Sequence, residues 1–132
     1  MAEYWQRCPL QADLLLPVPL HSARQRERGY NQAESLAQAL AGVIHLPLHT
    51  TGLQRVRHTR SQMSLDAADR QKNVQGAFAY QPREGGAGSA VSNRRVVVID
   101  DVCTTGATLE ACSLALKAAG ASQVWGFTLA RA

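Results

Sequence analysis

The chain has 132 residues, with 14 basic and 10 acidic side chains, 45% apolar residues and three cysteines. This length suits one domain spanning residues 1–132, because separate cores arise in chains well beyond about 200 residues. Charged residues make up 18% and apolar runs recur, which excludes a disordered chain. No apolar stretch approaches the roughly 18 residues that span a bilayer, and residues 1–7 lack an apolar signal segment. We therefore expect a cytoplasmic protein without a membrane partner.

The net charge of +4 comes almost entirely from arginine, with twelve Arg against two Lys. Arginine binds phosphate or carboxylate groups bidentately, so the bias fits a partner that carries phosphate. That partner is either a nucleic acid or a small phosphorylated metabolite. The alternative is a basic surface that reflects an arginine-preferring genome. Charge alone does not choose between these interpretations.

Cysteine and histidine offer little chemistry. The cysteines form no CxxC pair, which argues against a zinc knuckle or a disulfide framework. Cys103 and Cys112 lie in an apolar strand–helix region and are predicted to be small core residues. His45 and His49 have the spacing of helical metal ligands, but Pro47 between them argues against a helix. We predict no metal site made of protein side chains alone.

The first half of the chain predicts a strand followed by a helix. Residues 13–20 form a short apolar run ended by prolines, which is typical of a buried parallel strand. A helix is predicted to begin at Asn31, with Glu34 placed for a capping box, and to end at or shortly after Gly42. Its apolar face has helical spacing: Ala33, Leu36, Ala37, Leu40 and Ala41.

The middle of the chain gives weaker signals. A strand is predicted near residues 48–56, a short helix over 65–73 and another strand over 74–80. Residues 55–62 are polar and basic. Residues 83–93 are rich in Gly, Ala and Ser and are predicted to be a connection.

The last forty residues are the most informative. Val96–Ile99 are four β-branched residues in a row, which predicts a central strand covered on both faces. A helix follows residues 100–108 and is predicted to stop at Gly120, before a closing strand over 124–129. Its predicted apolar face comprises Thr108, Cys112, Ala115, Leu116 and Ala119. This alternation predicts an α/β fold with a mostly parallel sheet flanked by helices, and ligands bind such sheets at the carboxyl ends of the strands.

The loop that enters this helix has the chemistry of a phosphate site. Backbone N–H groups and the helix dipole attract an anion there, threonine hydroxyls add donors, and Gly106 allows close approach. Asp100 and Asp101 are better suited to accept hydrogen bonds from vicinal sugar hydroxyls. Together they describe a site for a ribose 5-phosphate. The alternative, an ordinary helix cap behind solvated acids, explains Asp101 or Thr104 singly but not the whole group.

Three segments resemble a known family. Residues 96–108 read VVVIDDVCTTGAT, which resembles the signature of type I phosphoribosyltransferases for phosphoribosyl diphosphate (PRPP). Residues 17–37 and 57–78 resemble the ComF/GntX family of phosphoribosyltransferase-like proteins, which is associated with competence and DNA uptake. The three motifs occur in the family's order. Family members usually begin with a cysteine-rich zinc-binding segment, and this chain has none.

The resemblance implies a type I phosphoribosyltransferase-like fold and a role for each matching residue. Asp100 and Asp101 would be catalytic and face the ribose 2- and 3-hydroxyls. The 5-phosphate would be held by the loop Thr104, Thr105, Gly106, Ala107 and Thr108. Pyrophosphate would be bound by Arg24, Arg26 and Arg28, unless these arginines only coat the surface. Arg57 and Arg60 would lie in a hood over the site, or in an ordinary basic loop.

The resemblance also implies a reaction and its partners. A nitrogen nucleophile would displace pyrophosphate from C1 of PRPP, with Mg²⁺ bound mainly through PRPP. The acceptor is open, because no segment indicates a purine or pyrimidine pocket. The first alternative is a non-catalytic adaptor in DNA uptake that binds single-stranded DNA or a helicase partner, although aromatic residues, at 5%, are few for base stacking. A second alternative is a regulator that senses PRPP. An oligomer is compatible with each of these functions.

Overall fold

A computed structural model describes five stretches of the chain: residues 2–7, 10–20, 29–56, 76–81 and 90–131. The short helix predicted over 65–73 lies outside these stretches. So do the arginines assigned to pyrophosphate and to the hood: Arg24, Arg26, Arg28, Arg57 and Arg60.

Strands and helices alternate along the described chain. In order they are α1 (Ala2–Arg7), β1 (Leu14–Pro17), α2 (Gln32–Ile44), β2 (Leu53–Arg55), β3 (Phe78–Tyr80), β4 (Arg95–Cys103), α3 (Ala107–Ala118) and β5 (Gln123–Arg131). Within the described residues, no helix is long and apolar enough to cross a bilayer.

The main sheet is parallel, with β4 between β1 and β5. Leu48 adds a parallel bridge to Leu15 on the other side of β1. β2 and β3 form a separate two-stranded antiparallel ribbon, in which Arg55 is paired with Phe78. The predicted α/β fold with a parallel sheet and flanking helices is confirmed.

Both faces of the sheet are covered, which explains why the strand sequences are continuously apolar. One face carries Leu14, Leu16, Val96 and Val98 and packs against α3 and the ribbon. The other face packs against α1 and α2 through a second cluster: Trp5, Leu15, Ala37, Leu40, Val97, Ile99 and Phe127. The side chains of Val96–Ile99 are fully buried, as predicted for a central strand.

An ion pair fixes the register of β1 against β4 at their amino ends. The backbone N–H of Arg95 donates to Asp13 Oδ2 at 2.8 Å, and its guanidinium donates to both carboxylate oxygens at 3.2 Å. Hydrogen bonds from Arg95 hold the pKa of Asp13 below its usual value. Both side chains are partly exposed, so the pair contributes mainly to register.

Helix α2 begins where the sequence predicts. Asn31 is its N-cap: the side-chain oxygen accepts from the Ala33 N–H at 3.0 Å, and the amide donates to the Val18 carbonyl at 3.1 Å. The helix continues through Gly42 to Ile44 and ends at His45, whose φ of 59° is left-handed.

Several predicted boundaries were wrong. The strand expected near 48–56 is an isolated bridge at Leu48 followed by the short β2, because this segment changes partner from the main sheet to the ribbon. Strand β4 does not end at Ile99 but runs on through both aspartates to Cys103, since β5 continues to pair with it. Cys112 is a buried core residue as predicted, whereas Cys103 is only half-buried.

Candidate functional site

The candidate site lies at the carboxyl end of the central strand. β4 ends at Cys103, residues 104–106 turn, and α3 begins at Ala107. The structure therefore brings the two aspartates and the threonine-rich loop to the same edge of the parallel sheet. This edge is where ligands bind in open α/β sheets.

Asp100 and Asp101 are consecutive residues at the end of β4, and their carboxyls interact through a side-chain hydrogen bond. Each then turns along the strand toward the next residue. The Asp101 N–H donates to Asp100 Oδ1 at 2.8 Å, and the Val102 N–H donates to Asp101 Oδ1 at 2.9 Å. Both side chains are half-buried and have one oxygen held by the backbone.

The electrostatic environment of Asp100 differs from that of a surface aspartate. Burial, together with the neighbouring Asp101 carboxyl, raises the pKa of Asp100 to about 7, while the positive charge of Arg55 opposes this rise. At neutral pH the Asp100 carboxyl is therefore close to half-ionised. A phosphate nearby meets less negative charge than two full carboxylates would present.

The loop between β4 and α3 is shaped by Gly106. Gly106 is the N-cap of α3 and has a φ of +85°, which side chains with a Cβ rarely adopt. A Cβ at this position would meet no atom of the described residues within 4 Å, so these residues leave the space beside the glycine open. The Ala107 N–H donates to Thr105 Oγ1 at 3.3 Å, and the Glu110 N–H donates to the Gly106 carbonyl at 2.9 Å to begin the helix. Open space at a helix start suits an anion.

The threonines of the loop differ in exposure. Thr105 is exposed, and Thr104 and Thr108 are half-buried. Ala107 is buried and anchors the first turn of α3 in the core. The five residues assigned to phosphate thus surround one helix start, partly in solvent and partly fixed by packing.

Gly126 on β5 leaves room for a side chain of α3. A Cβ at Gly126 would lie 2.8 Å from Leu109 Cδ1, so the end of the Leu109 side chain would have to shift. Leu109, in the first turn of α3, therefore packs over the sheet at this glycine. The sequence analysis did not single out this residue. The available signal was a glycine inside a strand, which often marks a close backbone approach.

Arg55 is a second residue that the sequence analysis did not connect with the site, although its charge acts on Asp100. It comes from β2, outside the strand and loop of the candidate site, and its guanidinium carbon lies 4.9 Å from the centroid of the Phe78 ring. In the sequence it begins a basic segment and has no distinguishing motif. The available signal was its alternation with Leu53, which puts a cation on the buried face of a strand.

A cavity of about 410 Å³ lies along β5, away from the candidate site at the end of β4. Its lining consists of Tyr4 and residues 126–131, and it includes none of the residues predicted to form the site.

Within the described stretches, no three His, Cys, Asp or Glu side chains gather as metal ligands. Burial raises the pKa of the Cys112 thiol, which keeps that thiol neutral.

Comparison with known proteins assigns the family. Residues 27–131 match the family described as the phosphoribosyl transferase domain. Competence protein F of Haemophilus influenzae is 41% identical over 122 residues, which are 91% of this chain and 51% of that protein. DNA utilization protein YhgH of Escherichia coli is 36% identical over 115 residues, which are 86% of this chain and 48% of that protein. The chain spans about half the length of these curated relatives.

A solved structure supports the same fold. The purine phosphoribosyltransferase from Pyrococcus horikoshii aligns with a TM-score of 0.55 and 19% identity, over 98% of this chain and 66% of that one. At this level of identity the likeness concerns the fold alone. The match over residues 27–131 shows that this chain belongs to the phosphoribosyltransferase domain family, and the similarity to curated competence and DNA utilization proteins supports the ComF family within it.

Proposed function

We propose that this chain binds PRPP, or another ribose 5-phosphate, at the carboxyl edge of its sheet and transfers the phosphoribosyl group to an acceptor. One observation carries the proposal. A half-buried pair of aspartates and a loop opened by Gly106 follow each other at the end of the central strand. This arrangement offers oxygen acceptors for a sugar diol beside backbone donors for a phosphate.

The phosphate would occupy the open space beside Gly106. Backbone N–H groups at the start of α3 and the hydroxyls of Thr104, Thr105 and Thr108 would donate to its oxygens. The positive end of the helix dipole adds to this attraction. No side chain needs to move far, because the left-handed Gly106 already shapes the turn.

The ribose would lie over the two aspartates. Asp100 and Asp101 each retain one carboxylate oxygen that is not engaged by the strand backbone in the bonds described above. Vicinal hydroxyls at C2 and C3 would donate to these oxygens. Each such charge-assisted bond is worth about 1.5–3 kcal/mol, so loss of one acceptor should weaken binding substantially.

In the reaction, the bond between C1 and the pyrophosphate oxygen breaks and a bond from C1 to the acceptor nitrogen forms. Pyrophosphate leaves with the bonding electron pair, and the acceptor nitrogen loses a proton. The protein contributes position and charge stabilisation, and no covalent nucleophile is required. Mg²⁺, which suits carboxylate and phosphate oxygens, would be bound mainly through PRPP and would neutralise the departing pyrophosphate.

Binding is tested first by thermal shift. Millimolar PRPP with Mg²⁺ should raise the melting temperature, as should ribose 5-phosphate, because a ligand that binds only the folded state stabilises it. Asp100→Asn with Asp101→Asn should abolish the shift while keeping an oxygen for each backbone bond. Asp13→Asn, at the opposite end of the sheet, is the matched control and should retain the shift. An unchanged melting curve of the unsubstituted protein would contradict ribose-phosphate binding.

Turnover is tested separately. Pyrophosphate release from PRPP should be measured across purines, pyrimidines and amines, with Asp100→Asn/Asp101→Asn as the inactive control. Release with one class of acceptor identifies the reaction. Binding without release from any of them favours a PRPP sensor over a transferase.

The second candidate is a non-catalytic adaptor in DNA uptake. The arginine excess and the similarity to a competence protein and a DNA utilization protein favour it. Direct binding to single-stranded DNA should weaken as salt is raised, because it depends on phosphate contacts. Gel shifts over a salt series test this version, and co-purification with a competence helicase tests the protein-partner version. Absence of salt-sensitive DNA binding would rule out direct binding to single-stranded DNA.

A further inference from the structure

Arg55 lies on the β2–β3 ribbon rather than in the strand and loop of the candidate site. It alternates with the exposed Gln54 and shares the ribbon's buried face with Leu53. Phe78 is its direct cross-strand partner, and the guanidinium carbon lies 4.9 Å from the Phe78 ring centroid. Strand pairing and the cation–π contact together fix the position of this charge.

The packing places that charge on the same side of the sheet as Asp100. Val98 and Asp100 point to the same face of β4, and Val98 belongs to one buried cluster with Phe78 and Cys112. Asp100 is the next residue on that face, at the rim of the cluster. Consistent with this placement, burial raises the pKa of Asp100 and of the Cys112 thiol, and Arg55 opposes the rise at both.

We propose that Arg55 is a positioning residue: it keeps the Asp100 carboxyl able to accept hydrogen bonds from ribose hydroxyls and so couples the ribbon to the site. The inference rests on the proposed function for its ligand. Among the residues that the structure describes, three groups bear on the charge of Asp100. They are Asp101 on the same strand, Arg55 on the ribbon and the neutral Cys112 thiol on α3.

The first test needs no ligand. Carboxyl carbons of ¹³C-labelled aspartate are titrated by NMR, and the Asp100→Asn variant assigns the Asp100 signal. In Arg55→Met, the Asp100 midpoint should rise by up to about one pH unit, because an opposite charge that favours the ionised carboxyl is lost. Arg55→Lys keeps the charge and should stay close to the unsubstituted protein. An unchanged midpoint in Arg55→Met would overturn the proposal.

The second test follows ribose 5-phosphate binding by calorimetry from about pH 6 to pH 9. Because the pKa of Asp100 is about 7, a rise of up to one unit lowers its ionised fraction at neutral pH, so Arg55→Met should bind up to about fivefold more weakly at pH 7. Its affinity should return to that of the unsubstituted protein by about pH 9. In an Asp100→Asn background, Arg55→Met should have no pH-dependent effect.

The outcomes separate this inference from the proposed function. A loss in Arg55→Met that is equal at every pH indicates a structural role and overturns the proposal. If the unsubstituted protein does not bind ribose 5-phosphate, the proposed function fails, and the carboxyl titration still decides whether Arg55 controls Asp100. Should Arg55→Met not fold, Arg55→Gln removes the charge with a polar side chain and gives the same two readouts.

Discussion

At the scale of single residues, the environment of Asp100 governs the chemistry that the site can offer. A carboxyl held partly out of water beside another carboxyl binds its proton more tightly than a surface aspartate does. The same group can then donate or accept a hydrogen bond near neutral pH. Asp13 shows the opposite case, because hydrogen bonds from Arg95 favour its charged form.

These two aspartates predict opposite dependences of stability on pH. The pKa of Asp100 is about 7 in the folded state against 3.8 for the unperturbed group, so its contribution to stability is greatest below about pH 4 and is lost as the pH rises through 7. Asp100→Asn should therefore gain melting temperature relative to the unsubstituted protein between pH 5 and pH 8.

Asp13→Asn is the control, because the stability that Asp13 contributes should depend on pH in the opposite direction. Because the pKa of Asp13 is lowered, its stabilisation is present at neutral pH and is lost as the pH falls below the usual aspartate range. This variant should melt lower at neutral pH and converge with the unsubstituted protein in acid. Melting curves over a pH series check both. Parallel curves for Asp100→Asn and the unsubstituted protein would contradict the raised pKa.

At the scale of elements, the start of α3 depends on backbone conformation more than on side-chain contacts. Gly106 has a positive φ and, within the described part of the chain, no neighbour where a Cβ would stand. In α2, Gly42 has the same open surroundings but lies inside a regular helix. The two glycines therefore isolate one variable, the backbone angle.

Alanine at these two positions should have opposite effects. Gly106→Ala should lower the free energy of unfolding by about 1–2 kcal/mol, since left-handed backbone is strained for a residue with a Cβ. Gly42→Ala should raise it by about 0.5–1 kcal/mol, because alanine is a better helix former than glycine. Urea denaturation measures both. Equal effects at the two positions would contradict the strained turn at Gly106.

At the scale of the whole molecule, stability comes from two apolar layers on either side of one sheet. Leu116 belongs to the layer between α3 and the sheet and is fully buried. Leu114 lies on the same helix but is 63% exposed. Because α3 also carries the candidate phosphate loop at its start, loss of this layer affects both folding and the site.

Truncation of these two leucines tests that layer. Leu116→Ala should cost about 2–5 kcal/mol in unfolding free energy, the range for a buried leucine that leaves a cavity. Leu114→Ala should change stability by less than about 0.5 kcal/mol, since its side chain packs on little. Denaturant melts give both values. A small cost for Leu116→Ala would mean that α3 is not docked on the sheet as described.

Much of the element order was readable from the sequence, and the errors have physical causes. The run Val96–Ile99 and the cap at Asn31 are local signals, and both elements form where predicted. The extension of β4 to Cys103 depends on pairing with β5, which no local pattern in an acidic segment indicates. Helix α2 ends at Ile44, shortly after Gly42 as predicted, and Ile44 packs against the second core cluster.

By itself, the sequence determined the parallel α/β architecture, the strand–DD–TTGAT–helix order and the resemblance to the ComF family. These depend on residue periodicity and on turn chemistry, which act between near neighbours in the chain. Only the tertiary structure decided that the two aspartate carboxyls interact at the end of β4, that Leu109 of α3 packs over Gly126, and that the charge of Arg55 acts on Asp100 from the ribbon. These features depend on contacts between residues far apart in sequence, where burial and charge act through space and leave no local pattern.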